Sequence, residues 1–189
     1  DSCACRPEMR LHGFSAMAPA PQTEQHVVDT PRLTKGPAYE TTLSFSLQPP
    51  ASSPQSPEWP TYRGNIGRTG RTTMPVPTEL KDVWQTKLGG ELTSLTVGSG
   101  KVYAACVDDH TVYALDAKSG KIAWSRTVGG VVDSPPTIHG NSVLFGCRDG
   151  SVYCLRATDG ALVWRRRAAP DSRHTVSFGQ VESVWPVQG

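Results

Sequence analysis

Two stretches of the sequence carry one pattern: ALDAKSGKIAW at residues 114–124 and CLRATDGALVW at residues 154–164. In the first stretch Asp116 and Ser119 suit hydrogen bonds to backbone amides within a tight turn, and Gly120 suits the positive φ at its end. Four residues later Trp124 follows, with a ring that buries on the order of 150–250 Å² when it packs between sheets. The pattern predicts a repeated strand, turn and strand that ends in a large aromatic side chain.

The tryptophans give the length of the repeat. Trp84, Trp124 and Trp164 lie 40 residues apart, whereas Cys106 and Cys147 lie 41 apart. A hairpin turn that is one residue shorter in the second unit explains the difference. In that unit Asp-Gly at residues 149–150 predicts a two-residue turn, because both of its central positions require φ > 0.

Each unit divides into four short runs of β-branched and aromatic residues, separated by Gly and Asp. The predicted strands are residues 95–97, 102–106, 111–115 and 122–126, then 135–138, 143–147, 152–156 and 162–166. Four strands in a period of about 40 residues are typical of propeller blades. A Greek-key sandwich is the alternative, but it gives no reason for a tryptophan at constant phase.

We therefore predict an all-β fold of four-stranded antiparallel blades within residues 61–189. The two full blades are residues 94–126 and 134–167, flanked by an outer strand around Trp84 and a third unit that opens at residues 181–187. Closed propellers generally have four to eight blades. The chain is expected to be an incomplete propeller, a fragment whose open blade faces make it weakly stable or self-associating.

Residues 1–60 have a different composition, since they hold 10 of the 16 prolines. Proline disfavours helix interiors and central strands, so this is predicted to be an irregular N-terminal segment with a Pro/Ser-rich linker at residues 48–60. Residues 1–38 are likewise expected to carry little regular structure. The exception is residues 39–47, where apolar and polar side chains alternate as in a half-buried strand.

Charge and hydropathy exclude several partners. Lys and Arg number 19 against 17 Asp and Glu, and no run of about 18 apolar residues is present, so neither nucleic-acid binding nor a membrane span is predicted. Three consecutive arginines, residues 165–167, are interpreted as protection of an exposed strand edge. The glycine-rich run at residues 64–70 follows a Pro-rich linker rather than a strand, which argues against a phosphate-binding loop.

The remaining polar residues indicate neither a catalytic nor a metal site. Cys3 and Cys5 supply only two of the four ligands of structural zinc. The other cysteines, Cys106, Cys147 and Cys154, lie in predicted strands and read as small buried hydrophobes. With a two-residue turn, Cys154 would be the diagonal neighbour of Cys147 on one face. Three histidines, residues 110, 139 and 174, fall at predicted turns or loops, and no Ser/His/Asp triad is indicated.

The repeated stretch fits A-x-D-x-x-[ST]-G-x-x-x-W, which resembles the tryptophan-docking motif of pyrroloquinoline quinone (PQQ) repeat propellers. The first unit matches at Ala114, Asp116, Ser119, Gly120 and Trp124; the second keeps Gly160 and Trp164 but has Cys154, Arg156 and Asp159 at the other positions. Residues 58–72, EWPTYRGNIGRTGRT, resemble the segment before the first blade in BamB-like repeat proteins. These motif residues are expected to be structural.

The resemblance implies one of two functional classes, because the family includes quinoprotein alcohol dehydrogenases and cofactor-free propellers of the BamB type. The dehydrogenases add a Cys-Cys pair, a Ca²⁺ site of Glu, Asn and Asp, and a catalytic Asp. This sequence has no Cys-Cys pair, and Asn141 lies in a predicted turn. We therefore expect no cofactor and no catalytic residue in this chain.

The favoured hypothesis is a non-catalytic, extracytoplasmic or periplasmic module that binds a protein or peptide. The alternative is a portion of a PQQ- and Ca²⁺-dependent quinoprotein dehydrogenase whose catalytic residues lie outside this chain. A third hypothesis is an accessory sensor domain attached to a separate N-terminal module.

Overall fold

The computed structural model describes residues 31–43 and 58–188, and these form almost entirely β-structure. In chain order the elements are β1 (Leu33–Lys35), α1 (Tyr39–Leu43), β2 (Thr96–Gly98), β3 (Lys101–Cys106), β4 (Thr111–Asp116), β5 (Ile122–Thr127), β6 (Thr137–His139), β7 (Ser142–Cys147), β8 (Ser151–Arg156), β9 (Leu162–Arg167), β10 (His174–Ser177) and β11 (Gln180–Ser183). The single helix in these two ranges is too short to cross a membrane.

The strands form two equivalent antiparallel sheets and a separate hairpin. Blade 1 has the order β2-β3-β4-β5, and blade 2 has the order β6-β7-β8-β9. A fifth strand, β1, pairs with the outer edge of β9, so the arginine edge that was expected to be exposed is paired. The predicted fold class is confirmed for the described residues: they are almost entirely β-structure, the two blades are four-stranded antiparallel sheets with β1 added to the second, and the sheets remain open as in an incomplete propeller.

The blades pack face to face around one apolar core. Blade 1 contributes Tyr103, Ala105, Val112, Ala114 and Trp124, and blade 2 contributes Val143, Phe145, Cys147, Tyr153 and Leu155. The Phe145 and Tyr153 rings are stacked, with their centroids 5.5 Å apart. Full burial of a side chain the size of Val, Leu or Phe stabilises a fold by about 1.5–3 kcal/mol. This core therefore holds the two blades together.

The hairpin turn of blade 2 is one residue longer than predicted. Cys147 pairs with Ser151, which leaves three residues, 148–150, in the loop. Gly150 has a φ of +86° and its amide donates to the Cys147 carbonyl at 3.0 Å. The left-handed glycine therefore closes a three-residue loop rather than a type I′ turn. The corresponding loop of blade 1 has four residues, 107–110, so the one-residue difference between the repeats remains.

This register also corrects the cysteine geometry. Cys147 belongs to the core between the blades, whereas Cys154 belongs to a cluster on the opposite face of blade 2. The prediction that they are neighbours on one face was wrong, because the extra loop residue shifts the pairing by one position. Cys106, Cys147 and Cys154 are all buried free thiols.

The N-terminal part departs from prediction in two places. Residues 39–43 form a helical turn instead of a strand, while residues 44–47 and the linker to residue 57 lie outside the described ranges. The turn begins after Pro37, where the Tyr39 amide donates to the Gly36 carbonyl at 3.1 Å and Ala38 is buried against blade 2. Burial of Ala38 thus outweighs the alternating pattern. The strand β1 lies in a segment that was expected to be irregular.

Two smaller expectations fail. Trp84 lies outside any strand. His139 and His174 lie at strand ends rather than in loops, whereas His110 is in a turn. The third unit at residues 181–187 stays a prediction: residues 180–183 form β11, which pairs with β10, and the described residues 184–188 contain no strand.

The core between the blades predicts how stability depends on pH. Burial, with a smaller effect of Asp149, raises the pKa of Cys147 from 9.0 to about 12; burial, followed by the charge of Glu58, raises that of Tyr103 from 10.0 to about 12. Both groups ionise more readily in the unfolded chain. The contribution of these two groups to the free energy of unfolding is therefore complete below pH 9. It is lost as the pH rises towards 12, at up to about 1.4 kcal/mol per pH unit for each group.

Urea denaturation at pH 7.5, 9.5 and 10.5 measures this loss. We expect the midpoint to fall steadily above pH 9, and to fall less in the Cys147→Ala variant, which lacks the thiol. An unchanged midpoint at pH 10.5 would show that these groups are not desolvated.

Candidate functional site

One carboxylate organises the turn between β4 and β5. Asp116 Oδ1 accepts hydrogen bonds from the Ser119 amide and hydroxyl, both at 2.8 Å, and from the Lys118 amide at 3.1 Å. The bonds from Ser119 are the main reason that the pKa of Asp116 lies below its ordinary value. Gly120 closes the turn with a φ of +68°. The Asp, Ser and Gly of the motif therefore act together to shape one turn.

Trp124 joins blade 1 to the equivalent turn of blade 2. Its indole N–H donates to the Ala157 carbonyl at 3.0 Å, and its side chain is only 7% exposed. The ring lies directly on Gly160, where an added Cβ would come within 2.6 Å of it. Gly160 also has a φ of +71°. Glycine is thus required twice, for the backbone conformation and for the close approach of the ring.

Trp84 makes the same contact one unit earlier. Its indole N–H donates to the Ala117 carbonyl at 3.0 Å and its ring lies on Gly120, although the ring is only half-buried. Trp164 differs, because it lies on β9 opposite Lys35 of β1 and packs near Ala38. Among the motif residues, Ala114 lies opposite Trp124 in the pairing of β4 with β5. Two tryptophan rings dock on glycines: Trp84 on Gly120 and Trp124 on Gly160.

Blade 2 keeps the turn of the motif, but different side chains stabilise it. Asp159 Oδ1 accepts a hydrogen bond from the Ala161 amide at 3.1 Å, as a turn carboxylate should. Arg156 occupies the position of Asp116 and donates to both carboxylate oxygens of Asp159, at 2.9 and 2.6 Å. One guanidinium nitrogen of Arg156 is left to reach Thr41, at 3.0 Å. The departures from the motif therefore preserve the turn and add a contact outside it.

Metal-ligating and thiol side chains are dispersed in the described ranges, residues 31–43 and 58–188. These ranges contain no group of three or more His, Cys, Asp or Glu side chains that could hold a metal ion. Burial raises the pKa of the Cys106, Cys147 and Cys154 thiols, which disfavours the nucleophilic thiolate. A cleft of about 530 Å³ beside the inner strands of blade 2 is lined by residues that include Thr61, Tyr62, Arg68, Asp133, Leu144 and Gln188. Two pairs of polar residues in this lining bond to each other: Gln188 donates to Asp133 at 3.2 Å, and the hydroxyls of Thr61 and Thr137 lie 3.0 Å apart.

A second candidate site is an insertion that interrupts the repeat. Ser94 and Ser134 lie 40 residues apart, but Ser134 and Ser183 lie 49 apart. An acidic residue precedes each of the last two serines, Asp133 and Glu182, which indicates equivalent positions. Both acids bond Arg148. The third interval is therefore nine residues longer, and it contains the hairpin of β10 and β11.

The base of this hairpin is fixed to blade 2. The Arg148 guanidinium donates to Asp133 at 2.9 Å and to the buried Glu182 carboxylate at 3.0 Å. The Ser183 amide donates to the Arg148 carbonyl at 2.7 Å. Because partly buried, hydrogen-bonded ion pairs are held more firmly than exposed ones, the hairpin leaves the blade in a defined direction.

The tip of the hairpin exposes apolar side chains. Val176 and Val181 pair across the two strands and are 71% and 61% exposed, and Phe178 in the turn is 82% exposed. Phe178 and Gly179 have φ values of +49° and +79°, so the turn requires a left-handed conformation at both central residues. The sequence carried a signal for this hairpin in the 49-residue interval, which was interpreted only as the start of another blade.

The docked tryptophan predicts the effect of its removal. Trp124→Ala deletes a buried ring and an indole hydrogen bond, so we expect the free energy of unfolding to fall by about 3–5 kcal/mol. Urea denaturation followed by circular dichroism measures it. Trp84→Ala is the matched comparison and should cost less, since its ring is half-buried. A loss for Trp124→Ala that does not exceed the loss for Trp84→Ala would contradict this account.

Comparison with solved structures shows the fold. The chain is similar to quinohemoprotein alcohol dehydrogenase from Comamonas testosteroni, with a TM-score of 0.53 and 21% identity over 64% of this chain and 21% of that chain. It is also similar to BamB from Moraxella catarrhalis, with a TM-score of 0.43 and 21% identity over 49% of this chain and 32% of that chain. The chain thus spans about a fifth to a third of these proteins. No curated protein matches the sequence.

A family model described as outer membrane protein assembly factor BamB matches residues 78–185. The match includes all of blades 1 and 2, both docked tryptophans and the inserted hairpin. Because it covers more than half of the sequence, the chain belongs to this BamB-like family of PQQ-like β-propeller repeat proteins.

Proposed function

We propose that this chain is a non-catalytic propeller module that binds a protein partner through the hairpin of β10 and β11. The observation that carries the proposal is Phe178, an aromatic side chain displayed at the tip in a left-handed backbone conformation. Exposed apolar residues scattered singly are ordinary. Three of them on one inserted hairpin form a small patch with a fixed base, which is a feature of recognition surfaces.

Folding stability alone does not account for Phe178. The first central position of a type I′ turn favours Asn, Asp or Gly, and a bulky residue with positive φ is an outlier. Phe178 also gains little from burial in this chain. Backbone strain of this kind persists where function requires it, and an aromatic anchor that fills a partner's pocket is the usual centre of a binding interface.

The charge of the tip favours a protein over a membrane. Residues 175–181, TVSFGQV, contain no charged side chain. Helices and hairpins that bind anionic lipid surfaces place basic residues beside their apolar side chains. The nearest Lys or Arg in the sequence before this tip is Arg173. It donates to Asp171 at 2.9 Å and stacks over Trp185. An apolar pocket on a protein is therefore the expected binding partner. In keeping with the family's description as an outer membrane assembly factor, we place the module outside the cytoplasm.

Site-specific photo-crosslinking in the native host tests this proposal. A benzophenone amino acid at position 178 keeps the aromatic character and should yield one discrete protein adduct. The same group at Ile122, an exposed apolar residue on β5, is the matched control and should yield none. Equal labelling from both positions, or adducts with lipid alone, would overturn the proposal.

A second variant separates binding from folding. Phe178→Asn supplies a residue that tolerates the left-handed conformation, so the melting temperature should stay the same or rise. Affinity for the crosslinked partner should fall about 30-fold or more, as for an aromatic hot spot. Retained affinity in this stable variant would remove Phe178 from the interface.

The alternative function is a portion of a PQQ-dependent dehydrogenase, which is favoured by the fold similarity to the quinohemoprotein alcohol dehydrogenase. Our proposal assigns no such cofactor to this chain, and in its support the described residues bring together no group of three or more His, Cys, Asp or Glu side chains. Addition of PQQ and Ca²⁺ to the full-length protein should produce no change in cofactor absorbance and no dye reduction with alcohols. PQQ-dependent dye reduction would establish the alternative.

A further inference from the structure

Blade 2 holds a segment of this chain that is not part of the propeller repeat. Residues 32–41, here termed the strap, run along the outer edge of β9 and then turn onto the outer face of the blade. The Arg167 amide donates to the Arg32 carbonyl at 2.8 Å, and the Gly36 amide donates to the Val163 carbonyl at 2.8 Å. Backbone bonds to a sheet edge are the basis of peptide recognition by strand addition.

The strap also has side-chain requirements. A Cβ on Gly36 would overlap the Leu162 carbonyl oxygen, so only glycine fits at this point. Two residues later Ala38 is 1% exposed and packs with Cys154 and Val163, which leaves room for only a small side chain. Strand addition thus supplies affinity, and these two positions supply specificity.

Blade 2 differs from blade 1 at the residues that contact the strap. Cys154, which packs with Ala38, stands where blade 1 has Ala114. Arg156, which donates to the Thr41 hydroxyl, stands where blade 1 has Asp116. These are two of the three departures from the docking motif. The same substitutions that make the second copy of the motif irregular therefore build the receiving surface.

We propose that blade 2 carries a recognition site for an extended peptide and that the strap is its built-in ligand. The recognised chemistry is a three-residue strand followed by glycine, with a small apolar residue two positions later. A partner segment of this chemistry binds when it displaces the strap. The site is separate from the hairpin of β10 and β11, so the proposal stands or falls independently of Phe178.

The contacts suit displacement. The three residues of β1 are exposed, and of the strap side chains Ala38 alone is buried, with Gly36 and Tyr39 half-buried. A segment that buries so little is opened at low free-energy cost. Its attachment to the same chain gives it a high effective concentration, so a peptide in solution competes poorly until the strap is weakened.

Peptide binding to two strap variants of the full chain tests the proposal. Ala38→Arg and Gly36→Val each disable the strap and leave the receiving residues of blade 2 unchanged. A fluorescent peptide of residues 31–43 should bind both variants at least tenfold more tightly than it binds the wild-type chain, by fluorescence anisotropy. The same peptide carrying Gly36→Val is the matched control and should not bind.

Hydrogen exchange gives a second readout. The Arg167 amide, which bonds the strap, should exchange faster in both variants and regain protection when the wild-type peptide is added. Circular dichroism establishes that the blades remain folded. Folded variants that fail to bind the peptide, or that bind the Gly36→Val peptide equally well, would overturn the proposal.

Discussion

The contact between the Trp124 ring and Gly160 is the constraint on which the two-blade arrangement depends. A blade has two apolar faces and can bury each of them only against a neighbour. The indole bond to Ala157 and the lack of a side chain on Gly160 fix where blade 1 meets blade 2. Because this contact sets the position of one blade against the other, Tyr103 of blade 1 and Phe145 of blade 2 pack in one core. In the same way, the turn around Asp116 places Gly120 against the ring of the preceding tryptophan, Trp84.

Much of the fold could be predicted because the same pattern occurs in two copies in the sequence. The phase of Trp84, Trp124 and Trp164 gave the blade length, and the hydrophobic alternation gave the strands to within about two residues. Local patterns failed where a contact from elsewhere in the chain decided the outcome. The helical turn at Tyr39–Leu43 forms because Ala38 is buried on blade 2. A three-residue loop and a two-residue turn share the signal Asp149-Gly150, and only the pairing distinguishes them.

The repeated and unrepeated parts of the molecule have different roles. Residues that recur between blades, such as Gly120 and Gly160, are occupied in holding the blades together. The candidates for recognition are features that break the repeat: the hairpin that carries Phe178, and the Cys154 and Arg156 substitutions that receive the strap. Neither site was visible as a motif, because each is defined by its departure from the periodic pattern. Fold alone does not determine function in such a scaffold.

Native-state hydrogen exchange of the wild-type chain tests the central claim, that docking and the shared core make the two blades one cooperative unit. The amides of Val112 in blade 1 and Val143 in blade 2 are buried in that core. The account predicts that both open with the same free energy, equal to that of global unfolding, and that Gly160→Val separates the two values. Two different opening energies in the wild-type chain, unaffected by Gly160→Val, would contradict it.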